Sequence, residues 1–332
     1  SVLSEGARLP LGRTFADAFL QLLAVGSGIS LGREQAPRQA SAAVLDQLSR
    51  ALRVTEAHRR VLVAAAAGAG LAAVYNVPPA GVLFTLEAMP VRRTWRVLPI
   101  AAAMSGVATV TAWPIVGRRA VYDFPEAAFH PVVLYLFPLL LLAAVLTGRL
   151  FLALMRSTGG WKVVDPRWLP LSVGAATAGV VAATAGVVAA SLILPGVTGN
   201  GEQIVRTALD PGSPLVLLAV LVVAKPLLTA ASLGSGAVGG TLTPALAVGA
   251  ALGSAAALIA GAGAESAPVL ALVGAAMVIS VMQKAPLFAA VIAWELTWAP
   301  LWTLPMLLAG AVGAHLLALP RGRRKAGPAV RS

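Results

Sequence analysis

Six long apolar stretches, 97–116, 131–156, 168–195, 213–232, 266–282 and 299–319, constrain this chain more than any single motif does. Inside them the only Asp, Glu, Lys or Arg residues are Arg149, Arg156 and Lys225. A helix that crosses a bilayer needs about 20 mostly apolar residues, and these stretches approach or exceed that length. With 58% hydrophobic residues, 11% charged ones and a mean hydropathy of +0.85, the apolar surface cannot be hidden inside a water-soluble globule and must face lipid. Strands of a lipid-facing barrel would alternate apolar with polar residues, whereas these stretches are apolar all round. The fold class is therefore an all-α polytopic membrane protein.

The net charge of +12 does not point to nucleic acid, because the basic residues sit in short connections. Arg92, Arg93 and Arg96 form one group, Arg118 and Arg119 another, and Arg321, Arg323, Arg324 and Lys325 fall in a basic tail, 321–332. That distribution reads as the positive-inside pattern of a multi-pass protein in a bacterial-type cytoplasmic membrane, with a cytoplasmic C-terminus. Trp95, Trp161, Trp168, Trp298 and Trp302 fall near span ends, as interface anchors do. The chain contains no cysteine, which removes disulfides, Cys-based metal sites and thiol catalysis; no metal or cofactor is expected. Residue 1 is Ser, and no secretory signal precedes the first apolar run at 15–31, so the expectation is a chain that begins inside a larger protein.

Shifting the chain against itself by 208 residues aligns 26–89 with 234–297 without a gap, at 11 identities in 64 positions. Their placement carries more weight than their number. Gly26, Ser27, Gly28 and Gly32 fall on Gly234, Ser235, Gly236 and Gly240; Pro78 falls on Pro286, and Glu87 on Glu295. Chain-breaking residues and an expensive intramembrane carboxylate recurring at one shift indicate a duplicated unit. Its expected division is a first repeat over 1–130, a second over 131–320, and the tail. The second unit has two apolar runs, 131–156 and 168–195, whose counterparts would lie before residue 1, so roughly 75 residues of the first unit are expected to be absent. In each unit a Gly-rich break precedes a helix start marked by Pro37 or Pro244. Broken helices whose N-termini meet near the midplane are how membrane transporters build substrate sites.

The segment from Gly26 to Pro37, with Gly32-Arg33-Glu34 at its centre, resembles the Gly-Arg-Glu-Gly-Pro region of the CLC family of chloride channels and proton-coupled chloride antiporters. Three further segments match in order: residues 67–89 with Asn76, Pro78, Gly81 and Glu87; Gly240-Thr-Leu-Thr-Pro244; and Lys284-Ala-Pro286 to Glu295. The resemblance implies inverted repeats of broken, tilted helices meeting at an anion site, a homodimer with one pathway per subunit, and chloride or another small anion as the transported partner. Carried over by position, the outer anion site would use amides around Arg33, Glu34 and Gln35, and the central one amides of Thr241 and Leu242, with Gly240 at the same site. Glu34 would be the gate, replacing the anion when ionised and leaving when protonated. Helix N-termini suit such a site because they offer N–H donors and about half a positive charge without a trapping full charge. Arg33 is expected to pair with Glu34 or to be structural. Glu87 and Glu295 are expected to position helices. Lys225 and Lys284 are expected to snorkel toward the interface, the alternative being anion attractors at a vestibule.

Departures from the family pattern bear on coupling. Ala88 stands where the antiporters carry a second, intracellular proton-transfer glutamate, and residues 321–332 contain no tyrosine for a central site. The expectation is channel-like or loosely proton-coupled anion movement; the alternatives are a tightly coupled chloride/proton antiporter and an inert truncated homologue. An enzyme is not expected: Ser27 lies between glycines and His315 in a late helix, but the spacing is not that of an intramembrane serine protease.

Overall fold

The computed structural model describes residues 9–91, 96–158, 169–263 and 265–319. Arg92, Arg93, Trp95, Trp161, Trp168 and everything from residue 320 on lie outside the described residues. In chain order the helices are α1 (Leu11–Gly26), α2 (Gln35–Ala51), α3 (Glu56–Tyr75), α4 (Pro78–Glu87), α5 (Val97–Val116), α6 (Val132–Thr158), α7 (Leu169–Ser191), α8 (Glu202–Leu209), α9 (Leu215–Gly234), α10 (Leu242–Ile259), α11 (Ala267–Gln283), α12 (Pro286–Glu295) and α13 (Leu304–Ala318). Among the described residues, six helical segments are long and apolar enough to cross a membrane: α3, α5, α6, α9, α10 and Leu301–Ala318.

The apolar runs at 97–116, 131–156 and 213–232 become α5, α6 and α9 within two residues. Two spans, α3 and α10, were not anticipated. Glu56, Arg59 and Arg60 in its first turns disguise α3, and α10 follows so closely on the Gly-rich break that its alanines and glycines read as part of it.

The helix α11 is the centre of the molecule. All of its residues from Ala267 to Met282 are buried, enclosed by α10, α12, α13 and α6. Contact between α10 and α11 is close because glycine lines it. A Cβ at Gly249, Gly253 or Gly274 would collide with the facing helix's backbone. Small residues give backbones this approach where lipid offers no hydrophobic drive between helices.

The two units coincide element by element at the shift of 208. Helix α4 maps onto α12 end for end, α1 and α9 end at Gly26 and Gly234, and α3 and α11 end one residue before Asn76 and Lys284. Those two residues both take the left-handed conformation, φ 56° and 55°, so each unit makes the same corner. The units also contact each other reciprocally. Glu87 Oε2 accepts from the Phe288 N–H at 2.9 Å, and Glu295 Oε2 accepts from the Ala80 N–H at 2.6 Å; Ala80 and Phe288 are themselves 208 apart. Equivalent residues trade equivalent contacts only about a two-fold axis. Gly32 and Gly240 repeat the pattern as an antiparallel bridge, so a pseudo-two-fold axis relates the units. Each carboxylate caps the partner unit's short helix at its N-terminus, where an acid is stabilised.

Helix α5 corrects the charge reading. Its 20 residues, about 30 Å of helix at 1.5 Å per residue, separate Arg96 from Arg118 and Arg119. The basic connections therefore lie on both sides of a span and do not mark one side alone.

Candidate functional site

The breaks after α1 and α9 bring two helix starts face to face. Gly32 N–H donates to Gly240 O and Gly240 N–H donates to Gly32 O, each at 2.8 Å, which pins the entry to α2 against the entry to α10. Pro37 and Pro244 each fall in the first turn of their helix, where a missing N–H breaks no intrahelical bond.

Glu34 stands at the N-cap of α2 and is fully buried. Its side chain reaches across the dyad to the start of α10. Oε1 accepts from the Leu242 N–H at 2.7 Å, and Oε2 accepts from the Thr243 hydroxyl at 2.8 Å. The Thr243 hydroxyl lies 3.4 Å from the Tyr75 hydroxyl at the end of α3. Arg38, one turn into α2, donates from Nε to the Glu34 carbonyl at 3.0 Å and lies over the Phe84 ring. The carboxylate thus sits on one backbone N–H and one hydroxyl at a helix N-terminus, with no lysine or arginine side chain of the described residues bonded to it. That donor set suits a small monovalent anion: partial positive charge, several weak contacts, no fixed counter-ion.

Two glycines make the space. A Cβ at Gly32 or at Gly240 would collide with the Glu34 carboxylate. Gly240 therefore enters the site by room rather than by its amide, which is already bonded to Gly32 O. Leu242 supplies its N–H to the Glu34 carboxylate, while Thr241 and Gln35 flank the two helix starts.

Arg33 turns away from Glu34. Its guanidinium pairs with Glu202 Oε2 at 3.6 Å, and both side chains are partly exposed. Lys225 does not snorkel. It is fully buried and donates from Nζ to Val197 O at 2.9 Å and Gly199 O at 2.7 Å, holding the turn before α8 against α9. A buried ammonium needs such partners. Thr243, Tyr75 and this role of Lys225 were missed at the sequence level. The Thr-x-Thr spacing around Leu242 was the available signal for Thr243, but only the tertiary pairing of α2 with α10 aims its hydroxyl at Glu34.

The family model described as voltage gated chloride channel matches residues 2–318. This chain belongs to the CLC family. A protein of Ralstonia nicotianae, whose name likens it to the chloride channel ClcB, is 35% identical over 319 residues, covering 90% of this chain and 71% of the relative. The H(+)/Cl(-) exchange transporter ClcA of Vibrio cholerae is 33% identical over 248 residues, 71% of this chain and 51% of the relative, so the chain spans about half the length of that protein. Among solved structures, a slow cyanobacterial Cl-/H+ antiporter superposes with a TM-score of 0.71 at 26% identity, covering 89% of this chain and 69% of that one. A eukaryotic CLC transporter superposes at 0.73 with 21% identity, covering 95% and 55%, a likeness of fold. In this CLC chain Ala88 is the C-cap of α4, directly after Glu87.

Proposed function

We propose that this CLC chain carries the pathway for chloride or a similar small anion, with Glu34 as its gate and a homodimer, one pathway per subunit, as the working form. The supporting observation is the position of the Glu34 carboxylate on the Leu242 N–H and the Thr243 hydroxyl. An ionised carboxylate there stands in for the anion; a protonated one gives up both charge-assisted bonds and frees the donors. The amides of Arg33, Glu34 and Gln35 at the α2 start, and those of Thr241 and Leu242 at the α10 start, are the anion contacts proposed with it.

Coupling to protons is proposed to be loose. Ala88 offers no proton acceptor at the position after Glu87, and the Glu87 carboxylate already serves the Phe288 N–H. The test is chloride efflux from proteoliposomes with proton movement recorded alongside. Chloride leaving with protons moving in no fixed ratio is the expected result. Protons driven uphill by a chloride gradient at a constant ratio would replace loose coupling by tight antiport, the activity in the names of the ClcA relatives. Absence of efflux from folded dimer would sink the anion-pathway reading itself.

Thr243 gives a graded prediction. A hydrogen bond to a charged group contributes about 1.5–3 kcal/mol, so Thr243→Val loosens the closed gate without removing its charge. Efflux at neutral pH is expected to rise by about tenfold, and the rise is expected to shrink at acid pH, since the hydroxyl matters only against a charged carboxylate. Unchanged efflux at both pH values would exclude the Thr243 hydroxyl from the gate.

A further inference from the structure

Apart from the Glu34 site, the last turns of α11 and α13 meet the C-terminal half of α6 around a groove of about 490 Å³ whose lining includes Arg149, Arg156, Lys284 and His315. No acid lines it among the described residues. The side chains of Arg156, Lys284 and His315 have no hydrogen-bond or ion-pair partner among the described residues, while Arg149 gives one donor, Nη2, to Leu317 O at 3.1 Å. That single bond caps α13, and the remaining donors of four basic side chains converge on the groove.

Helix α6 explains what would lie there. Residues three, four and seven apart share a helix face, so Leu142, Leu146, Arg149 and Arg156 form one line toward the helix end. Leu142 and Leu146 are 61% and 60% exposed, as lipid-facing leucines are, and the two arginines follow where the span ends. Apolar stripe and cationic end together match the profile of a phospholipid lying along the helix, acyl chain first and phosphate last. Leu152 and Val281 give the groove an apolar floor. A neutral zwitterionic headgroup brings its own cation, whereas four basic groups without an acid favour net negative charge. Basic pockets between membrane helices take anionic headgroups for this reason.

We propose that the α6–α11–α13 groove binds the phosphate of an anionic phospholipid, independently of the anion pathway at Glu34. Arg149 and Arg156 hold the phosphate oxygens, Arg being suited to bidentate contact, with Lys284 and His315 completing the ring.

The experiment is lipid retention by the purified full chain in mild detergent, read by native mass spectrometry after titration with phosphatidylglycerol or phosphatidylcholine. Two basic side chains near a membrane surface are together worth about 30-fold in affinity for an anionic lipid. Phosphatidylglycerol is therefore expected to bind more tightly than phosphatidylcholine, and R149Q/R156Q to lose about 30-fold. Lys284→Gln is expected to give a smaller loss, which covers the case of a double variant that fails to fold. R118Q/R119Q, with the same loss of net charge elsewhere, is expected to retain wild-type binding. Equal retention of the two lipids, or undiminished retention by both groove variants, overturns the proposal. Displacement of the lipid by an equal concentration of inorganic phosphate overturns the lipid as the source and assigns the groove to free phosphate.

Discussion

Glu34→Gln is expected to raise chloride efflux at neutral pH by about ten- to a hundredfold and to abolish its dependence on external pH. The magnitude follows from what the carboxylate gives up. Two hydrogen bonds hold it on the α10 start; each is worth about 1.5–3 kcal/mol to a charged group against about 0.5–1.5 to a neutral one, so glutamine gives up about 1 kcal/mol per bond, and about 1.4 kcal/mol is a factor of ten in occupancy. Glutamine keeps the shape but not the charge, so it competes poorly with an anion for the same donors. In the wild type, efflux is expected to grow as external pH falls, because proton binding neutralises the competitor. The variant, having no proton to take up at that position, is expected to be flat across the range. Efflux from proteoliposomes at stepped external pH checks both parts; a variant as pH-dependent as the wild type would remove Glu34 from the gate.

Gly253→Leu is expected to prevent folding. A Cβ at this position would collide with the Leu270 backbone, and the collision lies between two helices that are buried nearly throughout. Overpacking in a core costs about 1–3 kcal/mol when flexible side chains can give way; here the obstacle is backbone on a central helix, so the cost exceeds that range. Total stabilities of about 5–15 kcal/mol leave little reserve. Loss of the monodisperse detergent peak on size exclusion is the expected outcome, with Gly253→Ala showing a lowered melting temperature. A leucine variant that elutes and melts like the wild type would show that the α10–α11 contact is looser than its glycines imply.

How much of this could be read from sequence depended on range. Lipid-facing spans declare themselves locally, and α5, α6 and α9 follow their apolar runs. The shift of 208 was legible because helix-breaking glycine and proline and a costly intramembrane glutamate recur at matched positions. Glu34 was found by its motif. What the sequence withheld was direction: Arg33 points to Glu202 rather than Glu34, Gly240 gives space rather than a donor, and Lys225 is turned inward by two carbonyls that are 26 and 28 residues away along the chain. Thr243 sits two residues beyond the expected Thr241 and matters only because the two repeats face each other. Orientation across a dyad has no signature in either segment alone.

The internal symmetry has one exception at its centre. The residue 208 positions after Glu34 is Leu242, the very one whose N–H receives the carboxylate. Two helix starts of equal standing thus carry one acid between them. With that acid as the proposed gate, the scaffold is even-handed while the valve is not: acidity on one side of the bilayer is expected to reach it by a different route from acidity on the other, and rectification is expected to follow from a single residue that the duplicated half does not share.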